Sequence, residues 1–303
     1  MNHKKLVAPP PLADGGYWGA AAPAGPFAED LFRLGLARLE TRGFGIIYSD
    51  DIFLKDRYLA GPDETRARVL TEAWADPRVG AIIAARGGYG ALRIVQRLDF
   101  GFFREHPKIF VGFSDLTVLL LALYDQAGLV SFHGPVVTTL AAADDETVGR
   151  LVDLVTGRPV FPLSLTDFQV LVPGRAEGPL LGGNLTMIIH LAAAGLLPDL
   201  EGAILFLEDV DESPYRVDRM LTALRLAGVL DRCAGLILGD FDGGGTEEEM
   251  RMVLEKNLSF FKGPAAAGFP FGHRSRNLAL PVGPRVVFDS GAGFLDLMEP
   301  CLA

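Results

Sequence analysis

Phe110-Val111-Gly112-Phe113-Ser114-Asp115-Leu116-Thr117 carries the decisive transition of this chain. An apolar strand end at 109–111 turns into an apolar helical stretch at 116–124. Gly112 permits a tight approach to the turn. A serine placed there can be lifted clear of a sheet, with its oxygen at the mouth of a crevice and backbone N–H groups nearby. That is the logic of a nucleophile elbow. A serine ahead of a helix also serves as a plain N-cap, so the rest of the chain has to supply a base.

Working outward, the first half alternates strand and helix. Helical patterns fall at 28–42, 63–74, 91–98, 116–126 and 146–154, and apolar strands at 44–48, 79–85, 108–112 and 129–132. Connections this short predict a parallel sheet covered on both faces. The segment 15–22 is assigned as the first strand against its Gly- and Ala-rich composition, which has poor strand propensity. Pro159, Pro162 and Pro173 then interrupt the rhythm. They make 159–173 a linker between a domain at 1–158 and a second at 174–303. The second part reads as a Gly-rich turn at 178–184, helices at 185–194, 215–227 and 247–258, and strands at 203–207, 234–238, 264–269, 285–288 and 293–297. It is expected to be smaller in sheet content than the first, and mixed.

At 303 residues and 49% hydrophobic, the chain has ample material for two cores. Its net charge is −10 and basic residues never cluster, which argues against a nucleic-acid surface. Cys233 and Cys301 lie in different regions and suggest neither a disulfide scaffold nor a thiolate metal site. No His/Glu spacing of the HExxH kind occurs, so neither metal nor cofactor is expected. Residues 1–10 hold two lysines, but Pro9, Pro10 and Pro11 break any apolar core, so no signal peptide is read there. The apolar runs at 118–123 and 185–197 are too short or too polar to span a bilayer. A soluble, cytoplasmic protein is the expectation.

Three further positions carry potential chemistry. Glu208 directly follows the apolar strand 203–207, where the carboxyl ends of α/β strands face ligands; it also reads as an ordinary loop carboxylate among Asp209, Asp211 and Glu212. His273 stands in Gly268-Phe269-Pro270-Phe271-Gly272-His273, bracketed by residues able to fix the ring, and histidine is the natural base at neutral pH. With Ser114 it would make a nucleophile–base pair whose tautomer Glu208 sets. Arg86-Gly87-Gly88-Tyr89-Gly90 is a Gly-rich turn without the spacing of a nucleotide loop. Its N–H groups, Gly88 foremost, together with the N–H of Asp115, suit a developing oxyanion. Arg86 suits a substrate carboxylate or a plain salt bridge. His106 reads as solvent-facing, His190 as a packing residue, and His133 as pocket lining or a turn hydrogen bond.

Taken together, these motifs resemble the LD-carboxypeptidase family, the murein tetrapeptide carboxypeptidases with a Ser-Glu-His triad. The resemblance runs over most of the chain. It includes Ala22-Pro23-Ala24-Gly25-Pro26, the 86–90 turn, Gly112-Phe113-Ser114-Asp115, Phe132-His133-Gly134-Pro135, Gly182-Gly183-Asn184-Leu185, Leu207-Glu208-Asp209, Tyr215-Arg216-Val217-Asp218-Arg219 and Phe271-Gly272-His273. It implies an N-terminal parallel α/β domain like that of the class I glutamine amidotransferases and a smaller, β-rich C-terminal domain. It also implies a triad of Ser114, Glu208 and His273 drawn from both domains. Beside it, Gly88 and Asp115 are expected as the oxyanion hole, and Arg86 and Asn184 as substrate contacts. A cytoplasmic homodimer that removes terminal D-alanine from muropeptides in cell-wall recycling follows from the same resemblance. The family also holds self-immunity peptidases that cleave microcin-type aminoacyl nucleotides using an aromatic platform. Trp18 and Trp74, the only tryptophans, lie outside the later pocket-forming regions, which favours the cell-wall substrate. A non-catalytic muropeptide binder is the remaining alternative, disfavoured by the intact Ser/Glu/His set.

Overall fold

The computed structural model describes residues 5–303; residues 1–4, part of the segment considered for a signal peptide, lie outside the described residues. The chain runs β1 (Tyr17–Ala21), α1 (Glu29–Glu40), β2 (Gly45–Ile47), α2 (Asp63–Ala75), β3 (Val79–Ala84), α3 (Ala91–Ile94), α4 (Phe100–Glu105), β4 (Ile109–Gly112), α5 (Thr117–Ala122), β5 (Ser131–His133), α6 (Val137–Leu140) and α7 (Asp145–Val155). It continues through β6 (Leu163–Ser164), β7 (Gln169–Val172), β8 (Arg175–Asn184), α8 (Leu185–Ala194), β9 (Ile204–Val210), α9 (Pro214–Leu226), α10 (Val229–Arg232), β10 (Gly235–Asp242), α11 (Glu247–Leu258) and β11 (Ala265–Ala267). β12 (Leu280–Val282), β13 (Arg285–Asp289) and β14 (Phe294–Leu297) close it.

Two compact units result: residues 5–159 with 275–282 and 301–303, and residues 160–274 with 283–300. The first unit carries a six-stranded sheet in the order β12-β5-β4-β3-β1-β2. All its pairings are parallel except that of the edge strand β12 with β5. β1 forms despite its composition because it is the buried neighbour of both β2 and β3. A side chain on Gly19 would stand 3.0 Å from Val79 and 3.4 Å from Ala73, so position 19 leaves little room for anything larger than glycine. Asp63 and Glu64 open α2, where negative charge suits the positive end of the helix.

The second unit contradicts the expectation of a smaller sheet. Its eight strands, in the order β6-β14-β13-β8-β9-β10-β11-β7, outnumber the six of the first unit. β8 to β11 run parallel, and antiparallel strands flank them. The physical reason lies in glycine. The stretch 178–184, read as a turn, is the end of the ten-residue strand β8. A side chain on Gly182 would run into the Phe206 carbonyl of β9, so glycine there serves close strand contact rather than a bend. The proline-marked segment 159–173 likewise contributes β6 and β7 to the sheet. The likeness to class I glutamine amidotransferases finds no support in this architecture, whose larger sheet is C-terminal. No helix among the described residues is long and apolar enough to cross a membrane.

Candidate active site

In the first unit, β4 ends at Gly112 and a tight helical turn, Ser114–Leu116, leads into α5. Ser114 is half-buried and has φ +61°, a left-handed conformation uncommon for a residue with a side chain. Its hydroxyl caps neither this turn nor α5, so the plain N-cap reading does not describe it. A strained serine between strand and helix is the geometry that exposes a nucleophile.

The glycine-rich turn 86–90 lies against this serine. A side chain on Gly87 would stand 3.0 Å from Ser114 Cβ and 3.2 Å from its Oγ, so only glycine leaves that space open. Gly88 has φ +101° and is solvent-exposed. The Gly25 N–H donates to the Gly87 carbonyl at 3.0 Å, which ties the 22–26 segment to the turn. Arg86 is exposed and donates from Nη1 to the Pro26 carbonyl at 2.6 Å. Asp115 is buried, and its carboxylate accepts from the Ala91 N–H at 2.8 Å. Burial pushes its pKa up to about 6, against the lowering effect of that bond and of Arg66. His133, at the end of β5, is fully buried and meets Phe113 edge-on, with ring centres 5.9 Å apart.

In the second unit, Glu208 lies within β9, which continues past the expected end at Leu207. Glu208 is 0% exposed. His273 Nδ1–H donates to Glu208 Oε2 at 2.7 Å, since an ionised carboxylate can only accept. Burial draws the pKa of His273 down, but the Glu208 bond and the charges of Glu208, Asp209 and Asp211 outweigh it, so the ring titrates above its ordinary value. The approach needs a glycine, because a side chain on Gly272 would stand 3.0 Å from Asp240 Cβ and 3.4 Å from Glu208 Cβ. The arrangement leaves Nε2 as the acceptor of the neutral ring, the tautomer a general base uses.

Behind this pair stands a residue the sequence reading passed over. Asp209 is buried and accepts from Asn184 Nδ2 at 2.9 Å, from the Thr186 N–H at 3.0 Å and from Thr186 Oγ1 at 2.8 Å. Asn184 Oδ1 in turn accepts from the Met187 N–H at 3.1 Å and so caps α8. Both Asn184, expected to contact substrate, and Asp209 are therefore engaged in holding the β8–α8 junction beside Glu208, to which Asn184 is the parallel register partner. The signal was present in the adjacent carboxylates of Leu207-Glu208-Asp209, of which only the first was weighed for a site. His190 is exposed on α8 rather than packed, and His106 is exposed as expected.

Residues 19–134 match the LD-carboxypeptidase N-terminal domain and residues 177–288 the LD-carboxypeptidase C-terminal domain. The chain is 35% identical to the probable murein peptide carboxypeptidase of Bacillus subtilis, over 96% of this chain and 92% of that protein. Among solved structures it is similar to the muramoyltetrapeptide carboxypeptidase of Oxalobacter formigenes, with a TM-score of 0.82, 33% identity and coverage of 93% of this chain and 97% of the other. It is also similar to the microcin C7 self-immunity protein MccF, known from Escherichia coli, with a TM-score of 0.90, 25% identity and coverage of 98% and 100%. With whole-length identity above a third and both domains matched in order, this chain belongs to the LD-carboxypeptidase family.

Proposed function

We propose that this protein is a serine carboxypeptidase that hydrolyses the L,D-peptide bond of murein tetrapeptides and releases terminal D-alanine in cell-wall recycling. The observation that carries the reading is the buried Glu208 bonded to His273 at 2.7 Å, an oriented base with no other evident use. His273 Nε2 takes the proton of Ser114, whose Oγ attacks the carbonyl of the L,D bond. The N–H groups of Gly88 and Asp115 stabilise the tetrahedral oxyanion. His273 then gives its proton to the leaving amine of D-alanine, and water repeats the sequence to free the acyl group. Glu208 orients the imidazole throughout. Arg86 holds the terminal carboxylate, which explains removal of one residue from an end. Asn184 serves the site through Asp209. The protein works as a cytoplasmic homodimer, and sedimentation equilibrium showing only a species near 32.5 kDa at every concentration would overturn that assembly.

Incubation with a disaccharide-tetrapeptide and, separately, with an aminoacyl-nucleotide conjugate, read by mass, tests the substrate. Loss of one alanine from the tetrapeptide is expected; cleavage of the conjugate alone would reassign the activity to the microcin type. Trp18 and Trp74 are 0% and 1% exposed, so neither offers a face to a nucleobase, which supports the cell-wall substrate.

A further inference from the structure

Asp115 follows the proposed nucleophile, yet its side chain works outside its own turn. It is 3% exposed, and its carboxylate accepts from the Ala91 N–H at 2.8 Å. Gly90 is the N-cap position of α3 and has no side chain to cap that helix itself. The cap comes instead from a residue 24 positions away, in the turn that presents Ser114. From the other side, Arg66 of α2 is 2% exposed and donates from Nη1 to the Gly90 carbonyl at 2.9 Å and to the Pro23 carbonyl. Its second terminal nitrogen meets Asp63, which also pairs with Arg93 at 2.8 Å. The peptide joining Gly90 to Ala91 is thus held at its carbonyl by Arg66 and at its N–H by Asp115, charged side chains from different elements. At the other end of the same turn, Gly87 is packed against Ser114.

We infer that Asp115 and Arg66 are positioning residues that clamp the 86–90 turn through Gly90, so that the Gly88 N–H is held toward the oxygen developing beside Ser114. The inference rests on the proposed serine mechanism and adds to it what sets the oxyanion donor in place. A clamp explains why a carboxylate is kept where burial disfavours its charge. Position 90 cannot supply the cap itself, since its φ is +129° and a side chain there would stand 2.6 Å from Leu59 and 2.8 Å from Arg66 Nη1, so the cap has to come from another element. Capping from Asp115 makes the two turns form together.

The test labels Ser114 with a fluorophosphonate, in which the Oγ–P bond forms as fluoride leaves and the hydroxyl proton passes to His273. It needs no knowledge of the natural substrate and reports oxyanion stabilisation directly. Asp115→Ala should lower both the labelling rate and kcat by about 100-fold, the usual cost of one misplaced oxyanion donor, with KM changed less than about threefold. Asp115→Asn, whose amide oxygen still accepts the Ala91 N–H, should recover to within about tenfold of the parent. Rates are normalised to folded protein by circular dichroism, and Arg66→Met serves as a second variant should Asp115→Ala not fold. Labelling within about threefold of the parent in folded Asp115→Ala or Arg66→Met would overturn the clamp, as would equal losses in Asp115→Asn and Asp115→Ala. Failure of the parent to release D-alanine while Ser114 still labels would instead overturn the substrate reading and leave the clamp standing.

Discussion

His273 and Glu208 are 65 residues apart in the chain and share a 2.7 Å hydrogen bond, Nδ1–H to Oε2, with the carboxylate wholly buried. An imidazole held this way has its tautomer fixed and its cation favoured. Glu208→Gln keeps a contact to the ring but removes the charge. The expected result is a fall in kcat of about 10⁴-fold, the cost of the equivalent Asp-to-Asn change in serine proteases, with KM little altered. The pH profile gives a second reading. The base acts only when neutral, and its pKa is raised, so kcat/KM of the parent falls as pH drops through that raised value. In Glu208→Gln the acid limb should move to lower pH. An unmoved limb would show that the limb belongs to another group.

Ser114 supplies a prediction that separates its chemistry from its backbone. Ser114→Ala should abolish D-alanine release while leaving the fold intact. Ser114→Gly should be equally inactive but more stable than Ser114→Ala by about 1 kcal/mol, because φ +61° costs nothing to glycine. Urea denaturation of the two variants measures the difference. Equal midpoints would mean that the turn relaxes and stores no strain.

Gly87→Ala tests the packing of the two turns. The added methyl would stand 3.0 Å from Ser114 Cβ and 3.2 Å from Oγ, tighter than ordinary contact. A displacement of even part of an ångström at the nucleophile should lower kcat by about 100-fold. The tightest contact is with Cβ, which no rotamer change can move, so the turn itself must shift by a few tenths of an ångström and the melting temperature should fall modestly. Unchanged turnover would place the reacting oxygen elsewhere.

The parts of the fold legible from sequence were those where a local pattern and its burial agree. β3 and β4 are unbroken apolar runs between helices, and α2 and α11 carry acidic first turns. What escaped was set by contacts between distant segments. β8 hides behind glycines whose purpose is the closeness of β9, and this misreading is what made the second sheet look small. β1 is a strand only because its neighbours bury it. The site divides in the same way. Ser114 and His273 stand out through flanking glycines, whereas Asp209 and Arg66 are ordinary letters whose importance lies in partners 23 to 25 and 24 to 43 residues away.

Asp115 gives the last prediction, on stability against pH. Burial raises its folded pKa to about 6 from an ordinary 3.8. The fold therefore prefers the neutral acid. The resulting contribution to stability is complete below about pH 4 and is lost as pH rises through 6, approaching 3 kcal/mol at about 1.4 kcal/mol per pKa unit. Arg66 is the basic side chain facing it, and its charge lowers the Asp115 pKa against the effect of burial. Asp115→Asn does not titrate there and should gain on the parent by roughly that amount between pH 4 and pH 8. Taking the difference between the two proteins at each pH removes the titration they share, including that of Asp240, which burial also pushes up to about 6, and of His273. Urea unfolding at one-unit pH steps measures it. A gain already complete at neutral pH would mean that the parent retains a cost there in order to keep a charge beside Ser114, which is the pattern of a residue kept for positioning rather than for folding. A difference that stays flat from pH 4 to pH 8 would show that the carboxylate is better solvated than its burial implies.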